Sequence, residues 1–216
     1  MGNTVAIHID NAVKIYGNQT VLDHVSLDVM VGEICGIVGR NGSGKTVLVK
    51  SICGFTPLTE GQIVVQEKEI GRDVDMPDNV GAIIENPGFL NNYSAYKNLK
   101  FLAMIHNRIG KDEIKKALEK VGLDPDSKKK VGKYSLGMRQ RLGLAQAIME
   151  NPDILILDEP MNGLDNQGVE EMRKMLMKQR DDGKTILLAS HNPQDISILC
   201  DVVYEMDHGI IRRLDN

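Results

Sequence analysis

Ile34-Cys35-Gly36-Ile37-Val38, followed at once by Gly39-Arg40-Asn41-Gly42-Ser43-Gly44-Lys45-Thr46, decides how this chain folds. Five apolar residues in a row suit a strand buried on both faces of a parallel sheet. The next eight fit the pattern G-x-x-x-x-G-K-[ST]. Thr46 to Ile52 then read as a helix, with Gly54 as its stop signal. A glycine-rich turn between a buried strand and a helix lets successive backbone N–H groups curl around phosphate oxygens. The helix N-terminus adds partial positive charge at the same point. Gly39, Asn41, Gly42, Ser43, Gly44, Lys45, Thr46 and Val47 are therefore candidate nucleotide-binding residues. Lys45 would reach the terminal phosphates, and the Thr46 hydroxyl would ligate Mg²⁺.

A second buried-strand pattern, Ile154-Leu155-Ile156-Leu157, ends in Asp158-Glu159-Pro160. Carboxylates leaving a buried strand cost free energy unless they meet cations or donors. Asp158 is the candidate metal carboxylate, and Glu159 the candidate base for an attacking water. A third such strand, Thr185 to Ala189, is followed by Ser190 and His191. A lone histidine is often structural, but its place after a core strand makes His191 a catalytic candidate with Glu159 and Lys45. Ser135 and Gly137, in Tyr134-Ser135-Leu136-Gly137-Met138, open a further helix. A hydroxyl and a glycine amide at a helix start suit a second anion site, unless Ser135 is only a helix cap. A kinase or GTPase built on the same loop has no use for that second site.

These elements fall into an order. Residues 1–70 read mostly as short strands, including Val5–Ile9 and Val25–Val29, with a turn at Tyr16-Gly17-Asn18. Residues 87–151 read as helices: one capped by Ser94 with Leu99, Leu102, His106 and Ile109 on one face, and one with Ile114, Leu118 and Val121. The last of the three runs from Ser135 toward Asn151-Pro152. The expectation is a single α/β domain over 1–216. Its core and β subdomain would span 1–86 and 152–216, with a helical insertion at 87–151.

Composition narrows the function. At 216 residues the chain buries a proper core, and a formal net charge of −4 offers no global basic field for nucleic acid. The lysine-rich stretch from Lys111 to Lys133 reads as a solvated helical surface. Cys35, Cys53 and Cys200 have neither disulfide nor zinc spacing and read as buried free thiols. No apolar run approaches the roughly 18–20 residues of a membrane span. The Met1-Gly2-Asn3 start carries no signal-peptide core, so any transmembrane pathway would belong to another polypeptide.

The three phosphate-facing segments in this order resemble the ATP-binding cassette (ABC) ATPases over nearly the whole chain. The resemblance implies a P-loop NTPase fold with a mixed sheet, an N-terminal antiparallel β subdomain and an inserted helical subdomain. It implies ATP and Mg²⁺ as cofactors, Tyr16 as the aromatic stacking on adenine, and His191 as the switch histidine at the γ-phosphate. Gly163-Leu164-Asp165 resembles the family's D-loop. Ser135 and Gly137 match the signature segment, which caps ATP bound by a second subunit in a head-to-tail dimer. Leu136 and Met138 depart from that segment's usual small and polar residues. Where the family places a glutamine after the strand Gly81–Ile84, this chain has Glu85, a candidate metal ligand. With the altered signature, Glu85 is similar to the ATPases of bacitracin-resistance and lantibiotic-immunity exporters. The resemblance further implies a separate permease contacted through the Glu85–Tyr93 region, with Phe89, Leu90 and Tyr93 as contacts. The chain would then sit in the cytoplasm against the inner face of the membrane. The rival, a soluble ABC-type ATPase acting on nucleic acid or ribosomes, fits less well with one P-loop and no long heptad run.

Overall fold

The computed structural model describes residues 4–85 and 88–214. The Met1–Asn3 start, and Asn86-Pro87 at the expected boundary of the helical insertion, lie outside the described residues. Two sheets build the fold. The first is antiparallel, in the order β2-β1-β4-β5, from β1 (Val5–Tyr16), β2 (Gln19–Met30), β4 (Glu60–Val65) and β5 (Lys68–Glu69).

The second sheet holds β3 (Ile34–Val38), β6 (Val80–Ile83), β7 (Ile154–Asp158), β8 (Thr185–Ser190), β9 (Val202–Asp207) and β10 (Ile210–Leu214). Their order is β10-β9-β3-β8-β7-β6, parallel except for the β9–β10 hairpin at one edge. Alternate residues of the buried runs feed two cores. Leu155, Leu157, Ile186 and Leu188 face a core shared with the helices after β6. Ile154, Ile156, Leu187 and Ala189 face the antiparallel sheet and the helix α1 (Lys45–Ile52). This is why β7 and β8 are unbroken apolar sequences: both faces are covered.

Between β6 and β7 lie α2 (Ala95–His106), α3 (Lys111–Lys120) and α4 (Leu136–Ile148). Ser94 caps α2 by accepting from Lys97 N–H at 3.4 Å. Asn107, in the left-handed region at φ 53°, ends that helix, so Ile109 falls outside it despite its spacing. After β7 come α5 (Asn166–Asp181) and α6 (Pro193–Leu199). Where α4 crosses β6 there is no room for a side chain. A Cβ on Gly81 would run into the Ala147 carbonyl oxygen and lie 2.9 Å from Pro152 Cγ.

Two sequence expectations need extending. β1 and β2 are each 12 residues, longer than Val5–Ile9 and Val25–Val29 suggested. Register shifts between Ile9 and Ala12, with Asn11 and His24 at positive φ, break the period-2 alternation without ending the pairing. The cysteines are free as expected, with Cys35 and Cys53 buried and Cys200 half-buried. Burial pushes the Cys53 and Cys200 thiols up to about 12, which keeps them inert.

Candidate active site

The Gly39–Thr46 turn joins β3 to α1 at the end of the central strand, between its neighbours β8 and β9. Gly44 stands at φ 112°, a conformation side-chain-bearing residues avoid, and a Cβ there would lie 2.8 Å from the Val21 carbonyl oxygen. The Lys45 side chain folds back inside the turn. Its Nζ donates to the Gly39 carbonyl at 2.7 Å and the Arg40 carbonyl at 3.0 Å, and the residue is only 5% exposed. Burial holds the ammonium below the usual lysine range, against the opposing pull of Glu159 and Asp158.

Asp158 ends β7, one strand beyond β8 from β3. The Thr46 hydroxyl donates to its Oδ2 at 2.7 Å, while Oδ1 is buried without a partner among the described residues. Burial pushes the Asp158 carboxyl above the usual range. The Thr46 hydrogen bond opposes this, and the charges of Glu159 and Glu85 reinforce it. The folded group thus holds its proton to higher pH than the unfolded one. Stability from it is lost as pH rises through the folded value, and a bound cation would offset that loss. A hydroxyl and a carboxylate with one free buried oxygen are hard oxygen donors of the kind Mg²⁺ takes. The site fits the ion.

Glu159 follows at φ 51°, its N–H donating to the Ala189 carbonyl at 2.9 Å. Its Oε2 lies 2.8 Å from Nδ1 of His191 and accepts from the Ser190 hydroxyl at 3.4 Å. Its Oε1 is buried and unpartnered among the described residues. The carboxylate is therefore pinned by one oxygen and offers the other. Glu159 also lines a cleft of about 310 Å³ with Val21, Asn41, Gly42, Gly44, Lys45, Thr46 and Val47.

The remaining candidates lie outside this cleft. Tyr16 is 50% exposed at the end of β1, with Lys14 Nζ 4.9 Å from its ring centre, and does not line the cleft. Glu85, at φ 54°, takes a hydrogen bond from Lys50 Nζ at 2.8 Å. Ser135 caps α4 by accepting from Met138 N–H at 3.2 Å. Gly137 lies against the Gly163 carbonyl, 2.8 Å from where its Cβ would stand. Neither lines the cleft formed by their own chain.

Sequence reasoning missed Val21, which lines the cleft, and Gln140, whose Nε2 donates to the Glu159 carbonyl at 3.2 Å. It also missed Ser190 and Lys50 as partners of the two glutamates. Gln140 could have been found, since it lies one helical turn beyond Gly137 on a buried face. Val21 had no signal. Of the implied permease contacts, Phe89 is half-buried against the core, whereas Leu90 and Tyr93 are 51% and 40% exposed.

A family model described as ABC transporter matches residues 22–162. The ABC transporter ATP-binding protein YybJ of Bacillus subtilis (strain 168), itself uncharacterized, is 42% identical over 203 residues. The match covers 94% of this chain and 93% of that protein. The bacitracin transport ATP-binding protein BcrA of Enterococcus faecalis is 41% identical over 205 residues, covering 94% of this chain and 67% of its own length. The lantibiotic transport ATP-binding protein SrtF of Streptococcus pyogenes is 36% identical over 197 residues, covering 91% and 85%. Among solved structures, a dimeric post-hydrolysis state of the ATP-binding cassette MJ0796 bound to ADP and Pi superposes with a TM-score of 0.86. That match covers 97% of this chain and 99% of the other at 21% identity, a likeness of fold. By sequence and by fold together, this chain belongs to the ABC transporter family, as one of its ATP-binding ATPase subunits.

Proposed function

We propose that this subunit works as a head-to-tail pair that hydrolyses ATP and drives a separate membrane-spanning polypeptide. The observation that carries the reading is the pair of unpartnered buried oxygens, Asp158 Oδ1 and Glu159 Oε1, beside the Lys45 cradle. In this account the backbone of Gly39 to Lys45 binds the triphosphate, and Lys45 neutralises charge on the terminal phosphates. Thr46 and Asp158 would hold Mg²⁺, with Glu85 as a further candidate ligand once the ion draws it from Lys50. The ion would supply charge neutralisation on the phosphate oxygens. Glu159 accepts a proton from the attacking water through Oε1, while His191 and Ser190 fix its other oxygen. His191 is also the residue assigned to the γ-phosphate, and Tyr16 stacks on the adenine.

Ser135 and Gly137 act in trans. They open α4 yet lie outside their own chain's cleft, so a second copy is the natural recipient. Ser135→Ala tests this. Losing the cap costs about 1 kcal/mol of stability. Turnover should fall about tenfold or more while ATP affinity of the single chain stays unchanged. An equal fall in single-chain ATP affinity would put Ser135 in its own nucleotide site and end the trans assignment.

The permease contact is assigned to the Glu85–Tyr93 region and its surroundings. Tyr93 and Phe101 meet edge to face with ring centres 5.1 Å apart, and both are partly exposed beside Leu90. Apolar side chains held rigidly at a surface suit a protein partner. No helix among the described residues is long and apolar enough to cross a membrane. The chain would therefore reach the inner face of the membrane through its permease. BcrA and SrtF, whose names give bacitracin and lantibiotic transport, support a peptide antibiotic or related amphiphile as the cargo, and we assign its movement as outward.

A further inference from the structure

Glu85, just after β6, brings a third carboxylate to the end of the sheet where β7 presents Asp158 and Glu159. Asp158, Glu159 and Glu85 gather at one end of the sheet, because β6 and β7 run parallel with Ile83 opposite Leu157. A triphosphate bound by the neighbouring loop adds more negative charge to the same place. Glu85 has no such liberty in the structure. Its Oε1 accepts from Lys50 Nζ at 2.8 Å, across 35 residues of sequence. Lys50 belongs to α1, whose N-terminus is the phosphate loop, so the anchor and the nucleotide site share one rigid element. The backbone contributes as well. Glu85 stands at φ 54°, and a glutamate adopts the left-handed region only when its surroundings hold it there.

We propose that Lys50 is a positioning residue that, in the absence of a metal ion, tethers the Glu85 carboxylate to α1 and away from the triphosphate. This rests on reading the Gly39–Thr46 loop as the ATP site. Without Lys50, the Glu85 side chain is free to turn toward Asp158 and the phosphates, where its charge repels the nucleotide. Lys50 is then needed only because residue 85 is a glutamate. With a glutamine there, its ammonium has no carboxylate to restrain.

The test is a double-mutant cycle on ATP affinity, measured in EDTA so that no metal intervenes. Salt near physiological strength suppresses the long-range effect of simply deleting a charge. Lys50→Met should weaken ATP binding about three- to tenfold in the Glu85 protein, and less than twofold beside Glu85→Gln. Lys50→Arg, which keeps the donor, should stay near wild type. Equal weakening in both backgrounds would mean two independent charges and would overturn the tether, as would no weakening at all. Melting temperatures of all five proteins separate these results from unfolding. Failure of the wild-type chain to bind ATP would instead count against the nucleotide site, and the tether would fall with it.

Discussion

Glu159→Gln protein binds ATP about as well as wild type but turns it over about a hundred- to ten-thousand-fold more slowly, the range of a lost general base. The expectation follows from how the side chain is held. Oε2 is fixed by His191 at 2.8 Å and Ser190 at 3.4 Å, so the carboxylate cannot rotate freely. Oε1 is buried and has no partner among the described residues, and Glu159 lines the cleft with Lys45 and Thr46. Glutamine has the same shape and leaves the strand end intact, but an amide does not take a proton from water. Removing one negative charge beside the phosphates should, if anything, favour ATP binding. Measured turnover within threefold of wild type would remove Glu159 as the base.

Lys45→Met has the second large effect, and it acts on a different step. Lys45 is a buried cation whose donors satisfy the Gly39 and Arg40 carbonyls, with Asp158 and Glu159 as its nearest opposing charges. Truncating a charge that meets phosphate in a water-poor site costs about a hundredfold or more in affinity. ATP affinity and turnover should therefore fall together, unlike the turnover-only loss of Glu159→Gln. Folding stability should change little, because the mutation also removes the cost of burying the ammonium. An affinity for ATP within threefold of wild type would show that Lys45 only braces its own loop.

The strand ends that carry the glycine-rich loop and the two carboxylates were legible because each is local. The run Ile34–Val38 dictates a doubly buried strand, the glycines after it dictate the turn, and Asp158-Glu159 stands where a second such strand must end. The helical insertion was readable for the same reason, from Ser94 and Ser135 as caps and from period-3.6 apolar faces. What was not legible depends on chain segments meeting. Lys50 reads as one more surface lysine on α1 until β6 brings Glu85 beside it. Val21 is an ordinary strand valine until the hairpin lays it over Gly44. The lengths of β1 and β2 were hidden by bulges at Asn11 and His24, where the chain keeps its pairing but loses its alternation. Phe89 sits in a turn-rich stretch, and only tertiary packing turns its ring inward. The short helix α6 was missed despite a readable start, Asn192 as cap and Pro193 in the first turn.

The account stands or falls on pairing, since it assigns Ser135 and Gly137 to a nucleotide held by another copy. The direct measurement is the mass of the Glu159→Gln protein in solution, with Mg-ATP and without nucleotide. The account predicts a shift from one chain to two on adding Mg-ATP, reversed when Ser135→Ala is introduced. A protein that binds ATP and keeps the mass of a single chain would contradict it.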